Sequence, residues 1–139
     1  MSTRILCIED QPEMASILAE GLRVSGFSAI TTSTIISALE IVKLTPIDLI
    51  LLDIIMPDVN GFAFFDLLAA TSPRKEIPII VVTGCTSHEA EETAYALGAR
   101  DFIRKPFDLN QVVTSISTVL KTDAARLARK RTALQPRST

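Results

Sequence analysis

Four short runs of large apolar residues, each closed by polar or charged side chains, constrain this chain most. Ile47-Asp48-Leu49-Ile50-Leu51-Leu52 is closed by Asp53. Arg4-Ile5-Leu6-Cys7-Ile8 is closed by Glu9 and Asp10. Ile77-Pro78-Ile79-Ile80-Val81-Val82 ends at Thr83-Gly84, and Asp101-Phe102-Ile103-Arg104 ends at Lys105-Pro106. Short continuous apolar runs of this kind read as strands buried on both faces, the pattern of a parallel sheet. In an open parallel sheet, ligands and chemistry collect beyond the carboxyl ends of the strands. If these strands are parallel neighbours, three acids, a hydroxyl and a lysine converge on one edge.

Helical segments separate the runs. Pro12 to Ser25 has helical period, with Met14, Ile17, Leu18 and Leu22 on one face and Gly26 as the stop. Phe27 to Thr31 reads as a short strand, and Ser33 to Leu44 as a helix ended near Pro46. Gly61 to Ala70 gives a third helix with Phe62, Phe65 and Leu68 inward. Thr86-Ser87-His88-Glu89 reads as a capping box for a helix to Leu97, closed by Gly98. Asp108 caps a last helix. Five strand-then-helix units with right-handed crossovers place helices on both faces of the sheet. The expected fold is therefore α/β, a doubly wound five-stranded parallel sheet. Pro57 stiffens the turn after Asp53 and Gly61 releases it.

The 139 residues suit one domain with a single core. A hydrophobic content of 47% with 22% charge excludes a disordered chain. No apolar run approaches the roughly 20 residues of a membrane helix, so no membrane association is expected. Met1-Ser2-Thr3-Arg4 leads straight into a strand with no signal segment, and a cytoplasmic location is expected. Two cysteines make no disulfide framework: Cys7 reads as a small core residue and Cys85 as a loop residue. Residues 121–139 carry six basic side chains against Asp123, a net +5 in a chain of total −2. The acidic remainder argues against direct nucleic-acid binding by the body, and the basic run reads as a solvated helix end.

Three carboxylates within about 6 Å repel by roughly 3 kcal/mol per pair at an effective dielectric near 20. A hard divalent cation relieves this, and oxygen-only ligation favours Mg²⁺ or Mn²⁺ over zinc. Lys105 adds a second positive charge. A cation, an ammonium and a hydroxyl together suit a phosphoryl group. Asp53 can then act as the nucleophile and carry that group as an acyl phosphate.

With these residues in order, the chain resembles the receiver domains of two-component response regulators, of the chemotaxis-receiver type, over residues 4 to about 120. Glu9 and Asp10 match the family's metal-binding acidic pair. Asp53, with Met56-Pro57 and Gly61, matches the phosphoacceptor and its loop. Thr83 matches the switch hydroxyl, Phe102 the switch aromatic, and Lys105-Pro106 the lysine and its usually cis proline. The resemblance implies a flavodoxin-like (βα)5 fold with strand order 2-1-3-4-5. It implies a phosphoryl donor that is a sensor histidine kinase or a histidine phosphotransfer protein. It also implies that the Ile55 backbone carbonyl completes the metal site, that Thr83 moves toward the phosphoryl, and that Phe102 turns inward behind it. The reshaped surface would lie around the fourth helix, fifth strand and fifth helix. No separate enzyme activity is implied beyond self-catalysed phosphotransfer and slow dephosphorylation.

Three positions depart from the commonest pattern. The acidic pair is Glu-Asp, Phe102 lacks a tyrosine hydroxyl, and Ser115 and Ser117 stand where many DNA-binding regulators carry dimer-forming arginines. Two rivals remain: a pseudo-receiver that binds partners without phosphorylation, and an aspartate-nucleophile phosphohydrolase. The haloacid-dehalogenase-like phosphatases need a second aspartate two residues after the nucleophile, where this chain has Ile55. His88, the one histidine, reads as a solvated helix-end residue rather than a partner for a Cys85 nucleophile. Val113, Leu120, Leu127 and Leu134 recur every seven residues, with no glycine or proline before Pro136. The last helix should therefore run past Leu120. The expected division is a receiver at 1–120 and a basic helical extension or linker at 121–139, serving an output domain or self-association.

Overall fold

The computed structural model describes residues 2–56, 60–71, 76–85 and 87–134. Pro57, Thr86 and Pro136 lie outside them. The element order is β1 (Arg4–Ile8), α1 (Pro12–Val24), β2 (Ser28–Thr32), α2 (Ile35–Leu44) and β3 (Leu49–Leu52). It continues with α3 (Ala63–Thr71), β4 (Ile79–Thr83), α4 (His88–Leu97), β5 (Asp101–Arg104) and α5 (Leu109–Leu134). The four pairings among these five strands are parallel, and the strand order is β2-β1-β3-β4-β5. The expected doubly wound flavodoxin-like sheet is the observed one.

Alternation along each strand divides the core in two. Leu6, Ile8, Ile50, Leu52, Ile79, Val81 and Phe102 point to the face covered by α2, α3 and α4. Ile5, Cys7, Leu49, Leu51, Ile80, Val82 and Ile103 point to the face covered by α1 and α5. Each fully buried aliphatic side chain contributes about 2 kcal/mol of transfer free energy, and a one-residue register slip would draw the polar residues that close the strands into this core. That alternation holds the strand ends, and the side chains beyond them, in fixed positions.

Local signals set the helix bounds. Pro12 occupies the first turn of α1, where its missing N–H costs nothing. Gly26 and Gly98 follow α1 and α4 at φ 97° and 111°, the left-handed region glycine enters without strain. The Thr34 hydroxyl accepts from Ser37 N at 3.1 Å and starts α2. The Asp108 carboxylate accepts from Asn110 N at 3.0 Å at the head of α5.

Other details differ from the sequence reading. The cap of α4 falls on Ser87, whose hydroxyl accepts from Ala90 N, one residue later than the Thr86 box implies. Ile17 is exposed, because α1 turns Ala15, Leu18, Ala19 and Leu22 inward. In α3, Phe64 is fully buried beside Phe65 and Leu68, while Phe62 precedes the helix and is half-buried. Three phenylalanines in four positions admit two helical phases, and only the packing partner selects one.

α5 continues without a break to Leu134. Its inward face includes Val112, Ile116 and Val119, and then Asp123. Asp123 Oδ1 pairs with Arg100 at 2.7 Å and with Arg126 at 3.2 Å, and Arg126 reaches Glu76 at 3.4 Å. The seven-residue repeat of Val113, Leu120, Leu127 and Leu134 gives Asp123 no role; the structure buries it as an anchor. The side chains of Leu127 and Leu134 lie outside the described residues.

Candidate functional site

Winding reverses between β1 and β3, which opens a crevice beyond their carboxyl ends. Asp53 leaves β3 into that crevice and Glu9-Asp10 leave β1 beside it. Thr83 ends β4, and Lys105 follows β5 at a cis Lys105-Pro106 peptide. Parallel register aligns these ends, with Ile8 beside Leu52 and Thr83 beside Arg104.

Asp53 is the hub. Its Oδ1 accepts from Thr83 Oγ1 at 2.9 Å and from Ile55 N at 2.9 Å. Its Oδ2 accepts from Lys105 Nζ at 2.8 Å. Lys105 also donates to Glu9 Oε1, and Gln11 N donates to Glu9 Oε2 at 3.3 Å, so Glu9 opens the turn into α1 as well. One carboxylate oxygen each from Glu9, Asp10 and Asp53 lie within 4.8 Å of one another. Glu9, Asp53 and Thr83 are buried, and Asp10 is half-buried.

Electrostatics follow from this crowding. Burial pushes the Glu9 carboxyl above its ordinary value; the Lys105 hydrogen bond opposes the shift and the Asp53 charge adds to it. Burial works against the Lys105 charge, but the bonds to Asp53 and Glu9 outweigh it, and the ammonium is held above its ordinary value. The cluster is acidic beyond what one ammonium neutralises. An all-oxygen set of three carboxylates fits a hard divalent cation.

The loop after Asp53 folds back on itself. Ile55 bridges Asn60, and Gly61 N donates to Ile54 O at 3.2 Å. A Cβ on Gly61 would stand 2.4 Å from Ile54 Cα, so only glycine allows this approach. The Asn60 side chain accepts from Phe62 N at 3.0 Å and leads into α3.

Phe102 is buried on the α4 face of the sheet. Both it and Thr83 already occupy the inward placement that the resemblance assigns to a rearranged state. Cys7 is buried and its thiol is pushed up to about 12 by desolvation, which leaves it inert. Cys85 is half-buried beside Thr83, and its N–H donates to Thr83 Oγ1 at 3.4 Å. His88 is exposed in the first turn of α4.

The sequence reading placed Glu9, Asp10, Asp53, Thr83 and Lys105 at strand ends, and the structure brings all five together. It missed the direct Glu9–Lys105 pair. It also missed Arg104 and Glu91, joined at 2.7 Å beside Phe102. Residues thirteen apart on a helix and a strand leave no local pattern that could flag this pair.

The sequence matches the family described as "Response regulator receiver domain" over residues 5–117. The chain belongs to this receiver family. The transcriptional regulatory protein BaeR of Escherichia coli is 32% identical over 118 residues, covering 85% of this chain and 48% of that protein. A Vibrio cholerae protein named "Probable cyclic di-GMP phosphodiesterase" is 31% identical, covering 84% of this chain and 26% of that protein. The chain thus spans half or less of these relatives. The solved chemotaxis protein CheY4 of Vibrio cholerae superposes with a TM-score of 0.80 at 25% identity, covering 86% of this chain and 99% of that one. Receiver domains of response regulators are in general signalling modules of two-component systems. Among the described residues, no helix is long and apolar enough to cross a membrane.

Proposed function

We propose that this receiver accepts a phosphoryl group on Asp53 from a phosphohistidine, carried by a sensor histidine kinase or a histidine phosphotransfer protein. The observation that carries the reading is the convergence on one buried carboxylate of Thr83 Oγ1, Ile55 N and Lys105 Nζ, all within 2.9 Å. In the transfer, an Asp53 oxygen forms a bond to phosphorus while the phosphorus–nitrogen bond breaks. The imidazole nitrogen leaves with the electron pair. Thr83 and Lys105 then exchange their bonds to Asp53 for bonds to phosphoryl oxygens. Lys105 offsets their charge, and Thr83 draws the start of the β4–α4 loop with it.

Glu9, Asp10 and Asp53 would hold Mg²⁺ or Mn²⁺, with the Ile55 backbone carbonyl as a further ligand. The ion supplies positive charge for the transferring oxygens. Phe102 serves as the switch aromatic behind Thr83. The output surface is formed by α4, β5 and α5, and residues 121–139 form a basic helical extension toward an output domain or a second copy. The Ser115 hydroxyl donates to Asp101 Oδ2 within the chain, so this site supplies no intermolecular salt bridge of the arginine type. A cytoplasmic location follows from a kinase partner.

Acetyl phosphate with Mg²⁺ should add one acid-stable, base-labile phosphoryl group, detected by intact mass. Asp53→Asn should abolish it. Equal labelling of that variant would refute the assignment. A folded wild type that takes no label from any donor would favour the binding-module reading.

A further inference from the structure

Helix α4 has a small apolar footprint: Ala94 is its one fully buried residue. Two polar ties hold it to β5. Tyr95 Oη donates to Asp101 Oδ1 at 3.3 Å, and Arg104 Nη2 donates to Glu91 Oε2 at 2.7 Å. These ties lie one helical turn apart on α4 and flank Phe102 on β5. The Arg104 guanidinium also stands 5.2 Å from the centroid of the Phe102 ring. Arg104 is paired with Thr83 in the sheet and directly precedes Lys105. One side chain therefore touches the aromatic residue and helix α4, and lies in register with the site hydroxyl.

We propose that Arg104 is the positioning residue of the Phe102 switch. It holds the ring inward by stacking on it while bonded to Glu91 of α4. This rests on the reading of Phe102 as a switch with inward and outward rotamers. Phe102 has no hydroxyl to anchor either rotamer, so apolar packing alone gives its inward placement no polar restraint. The Arg104–Glu91 clasp supplies one. With side chains 38% and 27% exposed, the clasp is weak and breakable. An exposed ion pair with one cation–π contact biases an equilibrium by about fivefold, enough to tune a switch without freezing it. The planar guanidinium is needed for the full effect, because an ammonium can pair with Glu91 but cannot stack in the same way.

The test follows the ring of Phe102 by fluorine resonance in full-length protein carrying fluorinated phenylalanine, assigned with Phe102→Leu. Arg104→Gln and Glu91→Gln should each shift the inward population by about fivefold, and the double variant should add little more. Arg104→Lys should recover part of the loss. Salt at 1 M should shift the wild type in the same direction and leave Arg104→Gln unmoved. A ring signal unchanged both in Arg104→Gln and in salt-treated wild type overturns the proposal. The salt titration decides the matter alone if a variant fails to fold. Asp53 labelling is measured on the same samples. Its loss in wild type defeats the phosphoacceptor reading, while the ring signal still decides the clasp.

Discussion

Asp53, Glu9 and Lys105 define the energetics of the site. Among the described residues, Lys105 is the one cation bonded to two buried carboxylates, and its side chain is only 14% exposed. Removing one partner of such a set leaves uncompensated charge. Lys105→Ala should lower stability by about 3 kcal/mol at neutral pH, read by urea unfolding. Millimolar Mg²⁺ should restore part of that loss, and an identical curve with and without the ion would contradict the acidic-site reading. Glu9 has the opposite sensitivity. Its folded pKa lies above the unfolded one, so the folded state binds this proton more tightly. The corresponding stabilisation is complete below the ordinary carboxylate value and is lost as pH rises through the folded pKa. Glu9→Gln should remove this part of the pH dependence and raise stability at neutral pH while weakening Mg²⁺ binding. Lys105 contributes through its charge up to the ordinary lysine value and loses that contribution only above it, so the two profiles separate cleanly.

Elements hold these residues by close approach rather than by volume. The β3–α3 connection brings Gly61 against the backbone of Ile54, one residue from Asp53. A Cβ there meets backbone, which cannot rotate away as a side chain could. Gly61→Ala should destabilise the domain by about 1–3 kcal/mol and slow Asp53 labelling, measured by thermal unfolding and intact mass. A variant with wild-type melting and labelling would show that the loop tolerates the displacement. The approach of α1 to α5 is different. A Cβ on Gly21 would meet the end of the Leu109 side chain, which can rotate out of the way. Helix α4, seated by polar ties, contrasts with α3, which buries Phe64, Phe65 and Leu68. Local opening should therefore begin at α4, the element closest to the proposed switch.

At the scale of the molecule, the edge of the sheet that carries Asp53 and the opposite edge are both polar and differ in what they join. At the opposite edge, Arg100, Asp123, Arg126 and Glu76 join the start of β5, α5 and the approach to β4. Asp123 is buried, so this network makes the turn after Leu120 part of the body. Truncation after Leu120 should cost about 1–2 kcal/mol, because the exposed arginines weaken each pair but the buried partner is lost. Asp123→Asn in the full chain should reproduce part of that cost. Hydrogen exchange over residues 118–126 is the direct measurement, and coil-like exchange there in wild type would show that the extension is not docked.

The apolar runs with their closing residues determined the parallel sheet and the set Glu9, Asp10, Asp53, Thr83 and Lys105. Strands buried on both faces have only their ends free to carry polar groups, so order along the chain becomes order along one edge. Gly26, Gly98 and Asp108 were legible for a similar reason, since caps act through neighbours a few residues away, whereas the Thr34 cap of α2 came only from the structure. What only the tertiary structure decided are matters of phase and of distant partners. Ile17 and Phe64 exchange inward and outward places with their expected neighbours, because an apolar helix face is chosen by the surface it meets. Glu9–Lys105, Arg104–Glu91 and Arg100–Asp123 join residues far apart in the chain. Their charges are individually ordinary, and they acquire meaning only when the packed sheet removes the water that would otherwise separate them.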